Sequence, residues 1–253
     1  MSVKYILGDI HDKIKEIETD SIDMIYTDPP FGTTENKWDK SLMWDKLFPQ
    51  MWRVLKPNGV IVLYASIPFN YRLLKYETPK YHYVWKKNRP TGFFASKKQP
   101  LRCCEEIYIY YKKQPTYNPQ MEGNEYRPTH YLKQNDYYGE RNNLKGEKRI
   151  VSETEGHIGK YPLLFKDWKL RKYGSGITRS DEQIDYFIKT YTNKGDMILD
   201  MSCCNDFVGM RCKSLDRSYI GVDIEYREGD YEEYNQGGAS PIDALTHFLE
   251  SEG

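Results

Sequence analysis

The chain has 253 residues and carries 37 Lys and Arg against 37 Asp and Glu, so its formal net charge is zero. That length suits one domain with an elaborated loop region, or at most two small ones. A mean hydropathy of −0.80, with no apolar run near the roughly 18 residues a spanning helix needs, excludes a membrane helix. The start, MSVKYILGDI, reads as a strand rather than a signal peptide. It predicts a protein of the cytoplasm or nucleus, not secreted and with no membrane partner.

Zero net charge is an average over unlike blocks. Residues 71–172 hold 22 Lys and Arg against 11 Asp and Glu, together with 13 of the 23 tyrosines. Residues 223–253 hold one Arg and nine acids. Screening confines the relevant field to about 10 Å, so the basic block can concentrate a polyanion despite the neutral total. Cations interleaved with aromatics suit phosphate contact plus base stacking, and tyrosine filling strand faces is the plainer alternative. Of the five cysteines, 103–104 and 203–204 are adjacent pairs and Cys212 is single. Nothing has zinc spacing, so no metal is expected, and buried thiols in a reducing compartment are the expectation.

In chain order, residues 3–7 form a short apolar strand ending at Gly8-Asp9, followed by a helix over 11–17. Residues 21–28 are a second apolar run, stopped by Pro29-Pro30. Trp44, Leu47, Phe48, Met51, Trp52 and Leu55 recur at helical spacing and predict an amphipathic helix over 38–55. A turn at 56–59 feeds a strand over 60–65. Strand, helix, strand with short turns is the grammar of a parallel α/β sheet. Strands are expected at 81–86 and 105–111, and periodicity fades from 112 to about 160. Order returns with a helix over 181–191, capped by Ser180. A strand over 197–200, a helix over 208–215 and a strand over 219–223 follow. In the acidic remainder only 242–249 suits a modest helix.

The segment that carries chemistry is Asp28-Pro29-Pro30-Phe31-Gly32, at the end of an apolar strand. Ligands in open α/β sheets bind at the carboxyl ends of strands. Two prolines fix the backbone there, presenting a carboxylate, a carbonyl and an aromatic ring rigidly. An exocyclic amine is a poor nucleophile because its lone pair is delocalised into the base. A carboxylate and a carbonyl accepting its two N–H bonds localise that pair, and an aromatic face holds a base flipped from the stack. A strand-ending turn is the plain alternative for the tripeptide alone.

The string TDPPFGTTENKWDK (27–40) resembles the catalytic motif of amino-methyltransferases acting on DNA. KPNGVIVLYASIPF (56–69), VWKKNRPTGFFASKKQPLRCCEEIYIYYKKQPTYNPQM (84–121), FIKTYTNKGDMILD (187–200) and RSYIGVDIE (217–225) resemble successive blocks of the N-4/N-6 DNA methylase family in β-type order. In that permuted order the catalytic block precedes the cofactor block. A leading Asp resembles the adenine-modifying branch more than the cytosine branch.

The resemblance implies an α/β, Rossmann-like methyltransferase fold: a mixed, mostly parallel sheet with helices on both faces. One domain would span 1–225, with a basic, Tyr-rich target-recognition insertion around 113–160, and 226–253 would be an acidic tail. The cofactor implied is S-adenosylmethionine. The partners implied are double-stranded DNA and a second chain, as homodimer or as heterodimer with another methyltransferase. Asp28 and the Pro29 carbonyl would accept from the target amine, with Pro30 stiffening the turn and Phe31 stacking on the flipped adenine. Asp9 and Ile10 would lie near the adenine ring of the cofactor. Asp200 and Ser202 would lie under the cofactor loop, and Asp223 would take the ribose hydroxyls. Arg179 would belong to the block packed on the cofactor. Lys97, Lys98 and Arg102 would lie along the DNA.

Two blocks depart from the family pattern, both on the methyl-donor side. Cys204 and Asp206 stand where a Gly-x-Gly turn is expected, and a Cβ is costly where φ is positive. The family's His-Pro-Thr-Gln-Lys-Pro aligns with residues 175–180, where Arg179 alone keeps a basic residue. The base-binding motif is intact. These facts leave open an active DNA adenine methyltransferase and a homologue with impaired cofactor binding that serves as a DNA-binding or partner subunit. A methylase of RNA or of a cytosine amine is a third reading.

Overall fold

The computed structural model describes residues 1–37, 39–127, 157–173, 176–204 and 207–224. The acidic tail with its expected helix at 242–249, most of the basic loop, and Asp206 lie outside the described residues. In chain order the elements are β1 (Val3–Leu7), α1 (Ile10–Glu16), β2 (Ile22–Thr27), α2 (Trp44–Val54), β3 (Leu55–Ala65), α3 (Phe69–Leu73), β4 (Tyr81–Thr91) and β5 (Arg102–Tyr110). Then come β6 (Glu122–Arg127), β7 (His157–Lys160), β8 (Phe165–Lys166), β9 (Arg171–Tyr173), β10 (Gly176–Thr178), α4 (Asp181–Tyr191), β11 (Met197–Asp200), α5 (Phe207–Ser214) and β12 (Ser218–Asp223).

Eight strands form one sheet in the order β1-β12-β11-β2-β3-β5-β4-β8. Every neighbouring pair is parallel except those made by β5, which runs against both β3 and β4. The expected mixed, mostly parallel sheet is therefore present, and the reason lies in side-chain alternation. On β3, Ile61, Leu63 and Ala65 enter one core with α1, α2 and α3. Val60, Val62 and Tyr64 enter the opposite core with α4 and α5. A strand buried on both faces carries continuous apolar sequence and requires helices on each side.

Three of the described tyrosines of the basic block fill these cores. Tyr83, Tyr108 and Tyr110 are buried on β4 and β5. The Tyr81 and Tyr83 hydroxyls meet that of Tyr191 on α4 at 2.8 and 3.0 Å. Among the described residues, Tyr71, Tyr76, Tyr117, Tyr126 and Tyr161 are exposed.

Several boundaries differ from expectation. The amphipathic helix is shorter than 38–55, because Asp39 is spent on the loop preceding it, as shown below. The expected turn at 56–59 is absorbed into β3, which pairs Leu55 with Ile22, passes an irregularity, and resumes at Val60 opposite Met24. Strands β6 to β10 lie in stretches that lack a period-2 apolar pattern, and β6 with β7 and β9 with β10 form two-stranded antiparallel ladders. The chain divides into two compact units, one of residues 119–163 and one of the rest. All five cysteines are free. Cys203 and Cys212 are buried, but Cys103, Cys104 and Cys204 are exposed, which corrects the expectation of buried thiols. No helix among the described residues is long and apolar enough to cross a membrane.

Candidate active site

Parallel strands place their carboxyl ends on one edge, and four acids gather there. Asp9 follows β1, Asp28 follows β2, Asp200 ends β11 and Asp223 ends β12. Register aligns Leu7 with Asp223 and Asp200 with Gly221 across neighbouring strands. This is the crevice at which open α/β sheets take ligands.

Asp28 is the best-anchored of the four. Its Oδ2 accepts from Arg179 Nε at 3.0 Å and pairs with Nη2 at 2.8 Å. The same Nη2 lies 2.8 Å from Glu105 Oε2, and Glu105 Oε1 accepts from Lys87 Nζ at 2.9 Å. The guanidinium lies 4.5 Å from the Tyr64 ring and 4.7 Å from that of Trp85. Aromatic faces suit a weakly hydrated planar cation, which Arg provides and Lys does not. Two carboxylates and two cations thus form a neutral cluster from β2, β5, β4 and the segment before α4. Among the described residues no group meets Asp28 Oδ1.

Burial raises the Asp28 carboxyl above its ordinary range; Arg179 opposes that rise and Glu105 adds to it. The side chain remains 37% exposed, so water at its outer edge limits the effect. Burial also pushes Glu105 up, but Arg179 and then Lys87 outweigh it and leave Glu105 below the usual carboxylate range.

The loop after Asp28 is cinched by Asp39. Its Oδ1 accepts from the Gly32 N–H at 2.7 Å. Its Oδ2 accepts from the N–H groups of Thr33 at 2.9 Å and Thr34 at 2.7 Å, and from the Thr34 hydroxyl. Gly32 turns at φ +61, where a Cβ would meet Ser41 at 2.9 Å, so glycine is required. Phe31 is half-buried and stacks on buried Phe69, with centroids 5.0 Å apart and planes 17° apart. Pro29 is buried and Pro30 half-buried.

On the other half of the edge the acids hold local backbone. Asp200 Oδ1 accepts from the Ser202 N–H at 3.2 Å, and Asp223 Oδ2 from the Cys204 N–H at 2.6 Å. Ser202 Oγ reaches Thr27 Oγ1 at 3.1 Å, joining β11 to β2. Burial raises the Asp200 carboxyl to about 7, and Asp28 and Asp223 contribute to the rise. Cys204 sits at φ +51, the left-handed conformation that glycine adopts without penalty. A non-glycine residue thus holds a turn conformation that favours glycine. Asp9 caps α1, its Oδ1 accepting from the backbone and ring Nδ1 of His11 at 2.8 and 2.7 Å. Met43 N–H donates to His11 Nε2, so Nδ1 carries the ring proton. Ile10, the first residue of α1, is buried.

The structure therefore brings Asp28, Asp200, Ser202 and Asp223 to one edge and sends Arg179 to Asp28. Lys97, Lys98 and Arg102 are exposed around the β4–β5 connection. Sequence reasoning missed Glu105, Lys87, Tyr64, Trp85 and Asp39. A Lys and a Glu on adjacent strands gave no local signal, whereas Asp39 stood within the quoted catalytic string. No cluster that could hold a metal occurs among the described residues.

Comparisons with known proteins show the family and the fold. The type II methyltransferase M.HpaI of Haemophilus parainfluenzae is 26% identical over 251 residues, covering 90% of this chain and 73% of that protein. M.BamHI of Bacillus amyloliquefaciens is 25% identical over 230 residues, covering 86% of this chain, which spans about half (53%) of that longer relative. The solved PvuII DNA methyltransferase, described as cytosine-N4-specific, matches in fold with a TM-score of 0.61 at 13% identity, over 97% of this chain and 91% of its own. The family model described as DNA methylase matches residues 22–233, and the chain belongs to that N6/N4 DNA methylase family.

Proposed function

We propose that this chain transfers the methyl group of S-adenosylmethionine to the exocyclic amine of an adenine flipped out of double-stranded DNA. The observation that carries the reading is Asp28: one oxygen is held by Arg179 while Oδ1 has no hydrogen-bond partner among the described residues. That division leaves a single, oriented acceptor for an amine N–H. The Pro29 carbonyl accepts the second N–H, and the two acceptors draw the nitrogen lone pair out of conjugation. Phe31, braced by Phe69, offers a ring for the base. Catalysis is then positioning and electrostatics, with no covalent intermediate on the protein.

The donor half fits the cofactor by the chemistry of its groups. Strand-end carboxylates and the Ser202 hydroxyl suit a molecule that carries a ribose diol, an ammonium and a sulfonium. The left-handed turn at Cys204 would lie beneath such a molecule. Asp223 would hold the ribose and Asp200 with Ser202 the turn beneath it, and Asp9 with Ile10 would face the adenine. When bound, S-adenosylmethionine supplies an electrophilic methyl group on sulfur. Arg179 is a positioning residue here: its charge opposes the rise that burial imposes on the Asp28 carboxyl and so favours the carboxylate form, which accepts a hydrogen bond.

The test is incubation with DNA and isotopically labelled S-adenosylmethionine, followed by digestion to nucleosides and mass spectrometry. Label in N6-methyladenine is expected. Label in N4-methylcytosine alone would overturn the base assignment, and label in neither would overturn the activity. A second reading, a DNA-binding partner subunit with weak donor binding, is favoured by one observation: the Cβ at Cys204 sits where glycine is cheapest. Calorimetric titration with S-adenosylmethionine separates the two, and saturable heat supports the enzyme.

A further inference from the structure

The connection between β4 and β5 presents two bare phenylalanines. Phe94 is fully exposed and Phe93 is 62% exposed. Full exposure of adjacent large aromatic rings costs solvation and calls for a partner. The loop is not slack. Thr91 pairs with Arg102 at its base, and Gly92 turns at φ +92. A 3-10 turn over Phe93–Ala95 is closed by Ala95 N–H to Gly92 O at 3.0 Å and Ser96 N–H to Phe93 O at 3.1 Å. Lys98 N–H to Ala95 O at 2.8 Å extends it. The rings are thus held out on a hydrogen-bonded tip.

Charge identifies what the tip meets. From residue 78 to residue 104 the chain has seven Lys and Arg and no Asp or Glu. Lys86, Arg89, Lys97, Lys98 and Arg102 are exposed around the tip. An apolar tip ringed by uncompensated cations suits neither a second copy, whose matching surface is equally basic, nor an acidic protein, which has no stacked aromatic surface to meet the rings. It suits stacked bases flanked by phosphates. Topology places it at the right edge. Because β5 runs against both β3 and β4, the β4–β5 connection leaves the sheet at the same edge as Asp28. Glu105, in the Asp28 cluster, is three residues from Arg102, about 10 Å along an extended strand.

Resting on the reading of the chain as one that acts on DNA, we infer that Phe93 and Phe94 form a stacking wedge that enters the base stack beside the flipped nucleotide, with Lys97, Lys98 and Arg102 gripping the flanking phosphates. Apolar side chains inserted between base steps hold a duplex open in this way, and the wedge fills the space from which the target base has left.

The experiment is fluorescence anisotropy of a labelled duplex, and of the same duplex with a central unpaired bubble, across a salt series. The Phe93→Ala/Phe94→Ala double variant is expected to bind both about tenfold or more weakly, with an unchanged salt slope. Lys97→Ala/Lys98→Ala should flatten the slope of log Kd against log salt by about 1.8. Phe94→Trp should bind as tightly as the wild type. Both rings are on the surface, so an unchanged Tm confirms folding. Equal affinity of the double variant and the wild type overturns the wedge. So does a wild type that fails to bind DNA at low salt, or a double variant whose only change is in oligomeric state. A wild type with this phenylalanine dependence but no methyl transfer leaves the wedge standing and overturns the proposed function. An active wild type whose binding ignores the rings does the reverse.

Discussion

The two halves of the strand edge are built differently. At Asp28 the site is a neutral cluster of side chains from four distant segments, and its central hydrogen bond spans 151 residues of sequence. At Asp200 and Asp223 the acids instead hold backbone N–H groups of the adjoining turn. Tertiary ion pairs hold the Asp28 half. The other half keeps its shape through local hydrogen bonds, with Cys204 in a conformation it does not favour. Arg179 lies in the segment aligned with a cofactor-packing block, yet its side chain pairs with Asp28. Loss of the family pattern in that block is thus not loss of the cation that supports Asp28.

The largest effect should come from Asp28→Ala. Removing the acceptor should lower methyl transfer by about 10²–10³-fold or more, in line with the loss of one transition-state hydrogen-bonding group. DNA retention should barely change, and unaltered turnover would remove Asp28 from the mechanism.

Arg179→Met comes next and tests whether the cluster is one unit. It leaves Glu105 buried with Lys87 alone and Asp28 without a cation. Stability measured by urea unfolding should fall by about 2–4 kcal/mol, at the lower end because Asp28 is partly exposed. Arg179→Lys should recover part of this, because a charge remains but the planar stack on Tyr64 and Trp85 does not.

Asp200→Asn probes the donor side through pH. Asp200 titrates near 7 when folded against an ordinary 3.8. Between those values the folded chain holds a proton that the unfolded chain has lost. Its contribution to stability is therefore present below about 4 and is lost as pH rises towards 7. The stability difference between wild type and Asp200→Asn should slope against the wild type by about 1.4 kcal/mol per pH unit across that window. A flat difference would mean Asp200 ionises as in water.

The smallest effect is expected for Cys204→Gly. Relieving the left-handed Cβ should raise stability by about 0.5–1 kcal/mol in chemical denaturation. It should also tighten S-adenosylmethionine binding in calorimetry. Weaker binding would show that the thiol itself contributes to the donor side.

The acids at the strand ends were legible because each closes an apolar run at a Pro stop, a Gly or a turn, which period and punctuation reveal. The strand over 60–65 was legible in the same way, and Ser180 as the cap of α4 in its own. The ladders β6–β7 and β9–β10 were not, since their residues carry no alternating pattern and owe their extended form to pairing. Helix α2 starts later than its apolar spacing suggests, because Asp39 satisfies the loop N–H groups of residues 32–34 instead of continuing a helix.

The sequence by itself determined the alternation of strands and helices, the carboxylates at the strand ends and the proline-stiffened Asp28 turn, since all are set by residues within a few positions of one another. Only the tertiary structure decided that Lys87, Glu105 and Arg179 converge on Asp28 between Tyr64 and Trp85, and that Phe93 and Phe94 stand bare at the same edge. Charge pairing acts through space, and a sheet joins in space residues that the chain keeps far apart.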